Sequence, residues 1–142
     1  MSSEARQIVI PVDFGEQSMI ALGQSYNLAR LSKSEVTLLN VIDEDFLKPF
    51  QDIVSAKHNY EDHLKADIKK RLEELAHKVH KETGIKVNTL IRTGKIYDEI
   101  VEAAKELDAA LIVMVTMGSF GLKKRILGSN ASRVVRESEC PV

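Results

Sequence analysis

Four short apolar runs punctuate the chain: Ile8-Val9-Ile10-Pro11-Val12, residues 36–42, residues 87–91 and Leu111-Ile112-Val113-Met114-Val115. They are rich in β-branched residues and bounded by polar or glycine positions, which predicts β-strands. The first and last are nearly continuous rather than alternating, as expected of parallel strands covered on both faces. The third alternates more and fits the edge of a sheet.

The segments between these runs carry helical spacing. Residues 17–32 place Met19, Leu22, Tyr26 and Ala29 on one stripe, and residues 95–107 do the same with Ile96, Ile100, Ala103 and Leu107. The longest, over residues 58–82, aligns Leu64, Ile68, Leu72, Leu75 and Val79. Outside that stripe Glu61/Lys65, Asp67/Arg71 and Glu74/Lys78 stand four residues apart, the spacing of helical ion pairs. Gly84 then supplies a C-terminal stop. A fourth helix is expected to start near Ser129, to run to about Ser138 and to bury Ala131, Val134 and Val135. Residues 43–57, with Pro49 and mixed polarity, are the one long connection and the segment expected to move most.

The order β-α-β-α-β-α-β-α builds an open parallel sheet with helices on both faces, through right-handed crossovers. The fold class is therefore α/β, a three-layer α/β/α sandwich of Rossmann type, with residues 1–142 forming one domain. The 142 residues, 44% of them apolar, are enough for a sizeable core without disulfide or metal staples. Lys and Arg number 20 against 21 Asp and Glu, and the net charge of −1 argues against a nucleic-acid binder. No apolar run approaches the roughly 20 residues of a membrane span, and the N-terminal residues do not resemble a secretory signal. A cytoplasmic protein is expected.

Open α/β sheets bind ligands outside the carboxyl ends of their strands, where the strand order reverses. That rule directs attention to Asp13, to residues 41–43, to Gly94 and to the segment after Met114. In the last, three of the chain's seven glycines, Gly118, Gly121 and Gly128, fall within eleven residues. Such a turn lets the backbone approach an anion, and the unpaired N–H groups of a helix opening at Gly128-Ser129-Asn130 would then hold a phosphate. The alternative is a glycine-rich loop that only turns the chain. Neither a P-loop nor the dinucleotide fingerprint occurs; Asp13-Phe14-Gly15-Glu16 lacks the glycine pattern of the latter.

The stretch from Leu111 through Gly118, Gly128-Ser129-Asn130-Ala131 to Cys140-Pro141-Val142 resembles the universal stress protein family, as do Ile8-Val9-Ile10-Pro11-Val12-Asp13-Phe14 and Leu39-Asn40-Val41-Ile42-Asp43. The resemblance covers essentially the whole chain and implies an adenine nucleotide alpha hydrolase-like fold. ATP-binding members carry Gly-x2-Gly-x9-Gly-Ser/Thr here. Gly118, nine intervening residues and Gly128-Ser129 match its second half, whereas Val115 stands where the first glycine belongs. The resemblance implies that Gly118, Gly128, Ser129 and the Asn130 backbone hold the phosphates of ATP, with Mg. Asp13, after Pro11 and Val12, would hold the adenosine end, with Val41 lining the adenine slot and Met114 near the ribose.

The β-branched Val115 fills a position that the family leaves empty, so two readings stand beside each other. One is a nucleotide-responsive regulator in the stress response; the other is a dimerising or regulatory domain that no longer binds nucleotide. A third reading is slow ATP hydrolysis or self-phosphorylation at Ser129 or a neighbouring hydroxyl. No catalytic constellation emerges, and a non-enzymatic role is expected. Lys123-Lys124-Arg125, His77 with His80, and Cys140 read as a solvated surface, a solvated helix face and a small buried thiol. In the family, Cys-Pro-Val leads into a fifth strand beside the fourth, commonly at a dimer interface. The expectation is thus a fifth strand cut short, and a homodimer or tandem domain.

Overall fold

The computed structural model describes residues 6–13, 23, 26, 29, 30, 32–50, 54–114 and 125–142, and of residues 50, 54, 55 and 125–129 the backbone alone. Strands β1 (Gln7–Pro11), β2 (Glu35–Asp43), β3 (Val87–Gly94) and β4 (Leu111–Ile112) form a parallel sheet in the order β3-β2-β1-β4. Strand β3 lies at the sheet edge, as its pattern predicted, although its eight residues are uniformly half-buried rather than alternating. Central β1 has its three middle residues buried.

Helices α1 (Val54–Thr83), α2 (Ile96–Glu106) and α3 (Arg125–Glu137) pack on the two faces. Side chains alternate across a strand, so each strand supplies both layers. One core joins Ile8, Ile10, Val12, Val36, Leu38 and Ile42 to Ile68, Leu72 and Val79 of α1. The other joins Val9, Leu39 and Ile112 to Ile100, Ala103 and Ala104 of α2 and Val134 of α3. This is the expected three-layer fold. In the 17–32 segment, Gly23, Tyr26, Ala29, Arg30 and Ser32 are helical, and Ala29 is fully buried in the first core; Met19 and Leu22 lie outside the described residues.

The long helix ends as expected. Gly84 takes a positive φ of 77° and its N–H donates to the His80 carbonyl at 2.8 Å, a glycine cap. Other boundaries differ. The 43–57 connection is mostly regular: a 3-10 helix occupies Glu44–Phe50, Leu47 is buried, and α1 already begins at Val54. The local cause is the Asp43 carboxylate, which accepts the Asp45 N–H at 2.9 Å and starts the turn. Helix α3 begins at Arg125, four residues before Ser129. Leu127 stands four residues before Ala131 and seven before Val134, so helical apolar spacing already reaches that turn, and a glycine inside a helix costs only about 1 kcal/mol. Val135 is exposed, not buried, because it is one residue, about 100°, away from the Ala131–Val134 stripe. Cys140 is half-buried, with Sγ 3.4 Å from the Ser138 hydroxyl.

The β4 ladder is two residues long, yet the Val113 N–H still donates to the Val9 carbonyl at 2.9 Å. On the opposite side the Ile112 N–H donates to the Pro141 carbonyl at 3.0 Å. Cys140-Pro141-Val142 therefore passes along the outer edge of β4, where the family resemblance puts a fifth strand.

Candidate functional site

Strand β1 has β2 on one side and β4 on the other, so the chain's winding reverses between β1 and β4. In open α/β sheets the ligand crevice lies at such a reversal, outside the carboxyl ends of the two strands. Of the four positions indicated by the strand-end rule, Asp13 follows β1 and Met114 follows β4, on either side of this reversal, while the segment after Met114 lies outside the described residues. Asp43 lies one strand away and Gly94 two.

The rim at β1 is held by β2. The buried Val12 donates its N–H to the Leu39 carbonyl at 2.8 Å. Its carbonyl accepts the side-chain amide of Asn40 at 2.9 Å, and Asn40 is itself buried. Both backbone groups of Val12 are thus tied to the neighbouring strand, which fixes where the next residue, the exposed Asp13, leaves the sheet. Asn40 went unrecognised as a site-building residue in the sequence. Its signal was a polar residue inside Leu38-Leu39-Asn40-Val41-Ile42, since a buried amide needs a hydrogen-bond partner.

Val41 and Met114 are half-buried and pack against the same core, the one shared with α2 and α3. Both belong to the face of the sheet covered by α2 and α3, and Pro11 at the end of β1 is half-buried as well. Val115, Gly118, Gly121, Lys123 and Lys124 lie outside the described residues. Gly128, Ser129 and Asn130 are within α3, at its fourth to sixth positions, and Asn130 is half-buried. The unpaired N–H groups of the first turn consequently centre on residues 125–128 rather than on Ser129 and Asn130.

The two helices on this face differ at their starts. Helix α2 carries Asp98 and Glu99 in its first turn, so its own carboxylates meet the positive end of its dipole. Helix α3 begins with Arg125 and has no acidic residue in its first turn, so no carboxylate of its own meets the positive end of its dipole.

Asp43 and Gly94 have local roles instead. Asp43 caps the 3-10 helix. A Cβ on Gly94 would meet Glu99 Oε2 at 2.6 Å, so the absent side chain leaves room for Glu99. Glu99 in turn lies with Oε1 3.6 Å from Nε of Arg92, which also pairs with Glu106; together they fasten edge strand β3 to α2. His77 and His80 are exposed on α1, and a His80 ring nitrogen donates to the Ile85 carbonyl at 2.8 Å. Among the described residues no group of three or more His, Cys, Asp or Glu is placed to hold a metal, and no helix is long and apolar enough to cross a membrane.

The universal stress protein family model matches residues 4–142, and the chain belongs to that family. Universal stress protein MJ0531 of Methanocaldococcus jannaschii is 35% identical over 140 residues, covering 96% of this chain and 79% of the relative. Universal stress protein MJ0577 of the same organism is 32% identical, covering 100% of this chain and 95% of the relative. The solved structure of MJ0577 superposes with a TM-score of 0.85 at 31% identity, over 96% of this chain and 92% of that one. Two more distant structures share the fold: a universal stress protein in complex with cAMP, at 22% identity, TM-score 0.67 and 99% and 95% coverage, and one of Archaeoglobus fulgidus in complex with dAMP, at 22%, 0.67, 99% and 97%.

Proposed function

We propose that this universal stress protein binds ATP or a related adenine nucleotide in the crevice between the ends of β1 and β4 and acts as a nucleotide-responsive regulator in the stress response. The observation that carries the reading is the pairing, at the point where the strand order reverses, of a fixed β1 rim with a helix whose first turn has no carboxylate of its own. Crystallised relatives with cAMP and dAMP support adenine nucleotides as ligands that this fold accepts. Asp13 meets the adenosine end, Val41 and Met114 line the base and ribose, and the glycine turn with the start of α3 receives the phosphates. Magnesium arrives with the triphosphate.

The role is binding, not turnover, in the cytoplasm and in a homodimer or tandem arrangement. Regulation then requires that the nucleotide bind two states of the protein, or of its dimer, with different affinity. Val115 in place of the family's first glycine favours a second reading, a regulatory domain without a nucleotide. Calorimetric titration of ligand-free protein with Mg-ATP, beside Val115→Gly, separates them. The first reading predicts binding heat and a raised melting temperature for the unmodified chain. No heat up to millimolar ATP, with heat restored by Val115→Gly, overturns it in favour of the second.

A further inference from the structure

A polar contact joins helices α2 and α3 above their shared core: the guanidinium carbon of Arg133 lies 4.5 Å from the ring centroid of Tyr97. Tyr97 is the second residue of α2 and packs its ring, half-buried, on the core below. Arg133 stands one helical turn after Ser129, and side chains on a helix lean towards its N-terminus. The stack therefore ties the beginning of α2 to the middle of α3.

Among the described side chains of α3, the buried apolar ones are small, Ala131 and Val134, while Val135 is exposed. Short side chains such as these resist rotation and sliding of this part of the helix weakly. A planar cation stacked on an aromatic face adds a directional constraint. Resting on the nucleotide reading above, we infer that Arg133 is a positioning residue: by stacking on Tyr97 it sets the orientation of α3, so that the N–H groups of the first turn converge on the phosphates. Arg133 itself touches no ligand.

The test compares affinities for ATP and for adenosine in the unmodified chain and in Arg133→Met, Tyr97→Leu, the double variant and Tyr97→Phe. An exposed stack of this kind corresponds to a loss of about 2- to 5-fold. Affinity for ATP is expected to fall by that factor in each single variant and no further in the double one, and to be kept by Tyr97→Phe, which retains the ring. Affinity for adenosine, which lacks phosphates, stays unchanged. Amide exchange over residues 130–136 speeds up in Arg133→Met and Tyr97→Leu whether or not nucleotide is present. Equal loss for ATP and adenosine, or unchanged ATP affinity in both single variants, overturns the inference while leaving the proposed function standing. An unmodified chain that binds neither compound overturns the proposed function and the positioning role with it, and the exchange data then report on the stack alone.

Discussion

At the N-terminal end of the sheet, polar side chains satisfy one another. Thr37 donates to Gln7 Oε1 at 3.0 Å, and the Gln7 amide donates to Glu35 Oε1 at 3.0 Å. Asn88 donates a second hydrogen bond to Glu35 at 3.3 Å, and Lys86 Nζ stands 3.8 Å away. At the opposite end the polar bonds turn inward: Asn40 and Leu39 hold the backbone of Val12, while Asp13 is exposed and Pro11, Val41 and Met114 remain half-buried. Strands of one sheet thus finish in a closed network at one end and in a braced crevice at the other. Polar residues in an α/β domain announce a site only where their bonds leave neighbouring groups facing solvent. Where the same residue types consume each other's capacity, they are structure.

The sharpest way to break this contrast is Asn40→Ala. It removes the amide that holds the Val12 carbonyl within a buried setting, so a stability loss of about 1–3 kcal/mol in urea unfolding is expected. Nucleotide affinity falls with it, because Asp13 loses its fixed exit from the sheet. Glu35→Ala is the matched control at the other end. It takes the shared acceptor from Gln7 and Asn88 and costs about 1 kcal/mol, since the carboxylate is partly exposed and water replaces some of the bonds. Its nucleotide affinity stays that of the unmodified chain. Equal effects of the two substitutions on affinity would abolish the distinction between the ends.

The smallest effect concerns Glu61 on α1, which faces the end of β3. The Lys65 ammonium, 3.0 Å away, lowers its pKa from the ordinary glutamate value by hydrogen bonding and charge, helped by Thr93 and Lys57 against the opposing effect of burial. A carboxylate with a lowered folded-state pKa contributes stability above its unfolded-state pKa, and loses it as pH falls through the folded-state value. Glu61→Gln should therefore cost a few tenths of a kcal/mol at neutral pH and nothing at acid pH, read from paired denaturation curves. A cost independent of pH would show that packing, not charge, is what Glu61 supplies.

Much of this architecture was legible in the hydrophobic pattern. Near-continuous apolar runs marked strands covered on both sides, the alternation of 87–91 marked the edge, and Gly84 marked the end of α1. What escaped was set by single contacts. The Asp43 carboxylate that nucleates the 3-10 helix acts through a local turn, which no periodicity records. The start of α3 at Arg125 was hidden because Gly128 suggested a boundary, whereas the spacing of Leu127 with Ala131 and Val134 continued the helix through it. Val135 was placed in the core by its chemistry and is outside it by its angle. For the site, strand-end logic and the family resemblance led to Asp13, Val41 and Met114, and it took the structure to show that Asn40 braces the first of these positions. The glycine turn, including Val115 and Gly118, lies outside the described residues, so its part in the reading rests on sequence spacing.

On the proposed function, the braced end of the sheet, and not the closed one, receives the nucleotide. Backbone amide shifts and exchange rates, recorded for ligand-free protein and again with saturating Mg-ATP, test it most directly. Changes are expected at residues 12–13, 39–41, 113–114 and 125–131, with Gln7, Glu35, Thr37 and Asn88 unmoved. Changes centred on those four residues instead, or no change anywhere at millimolar ATP, would contradict it.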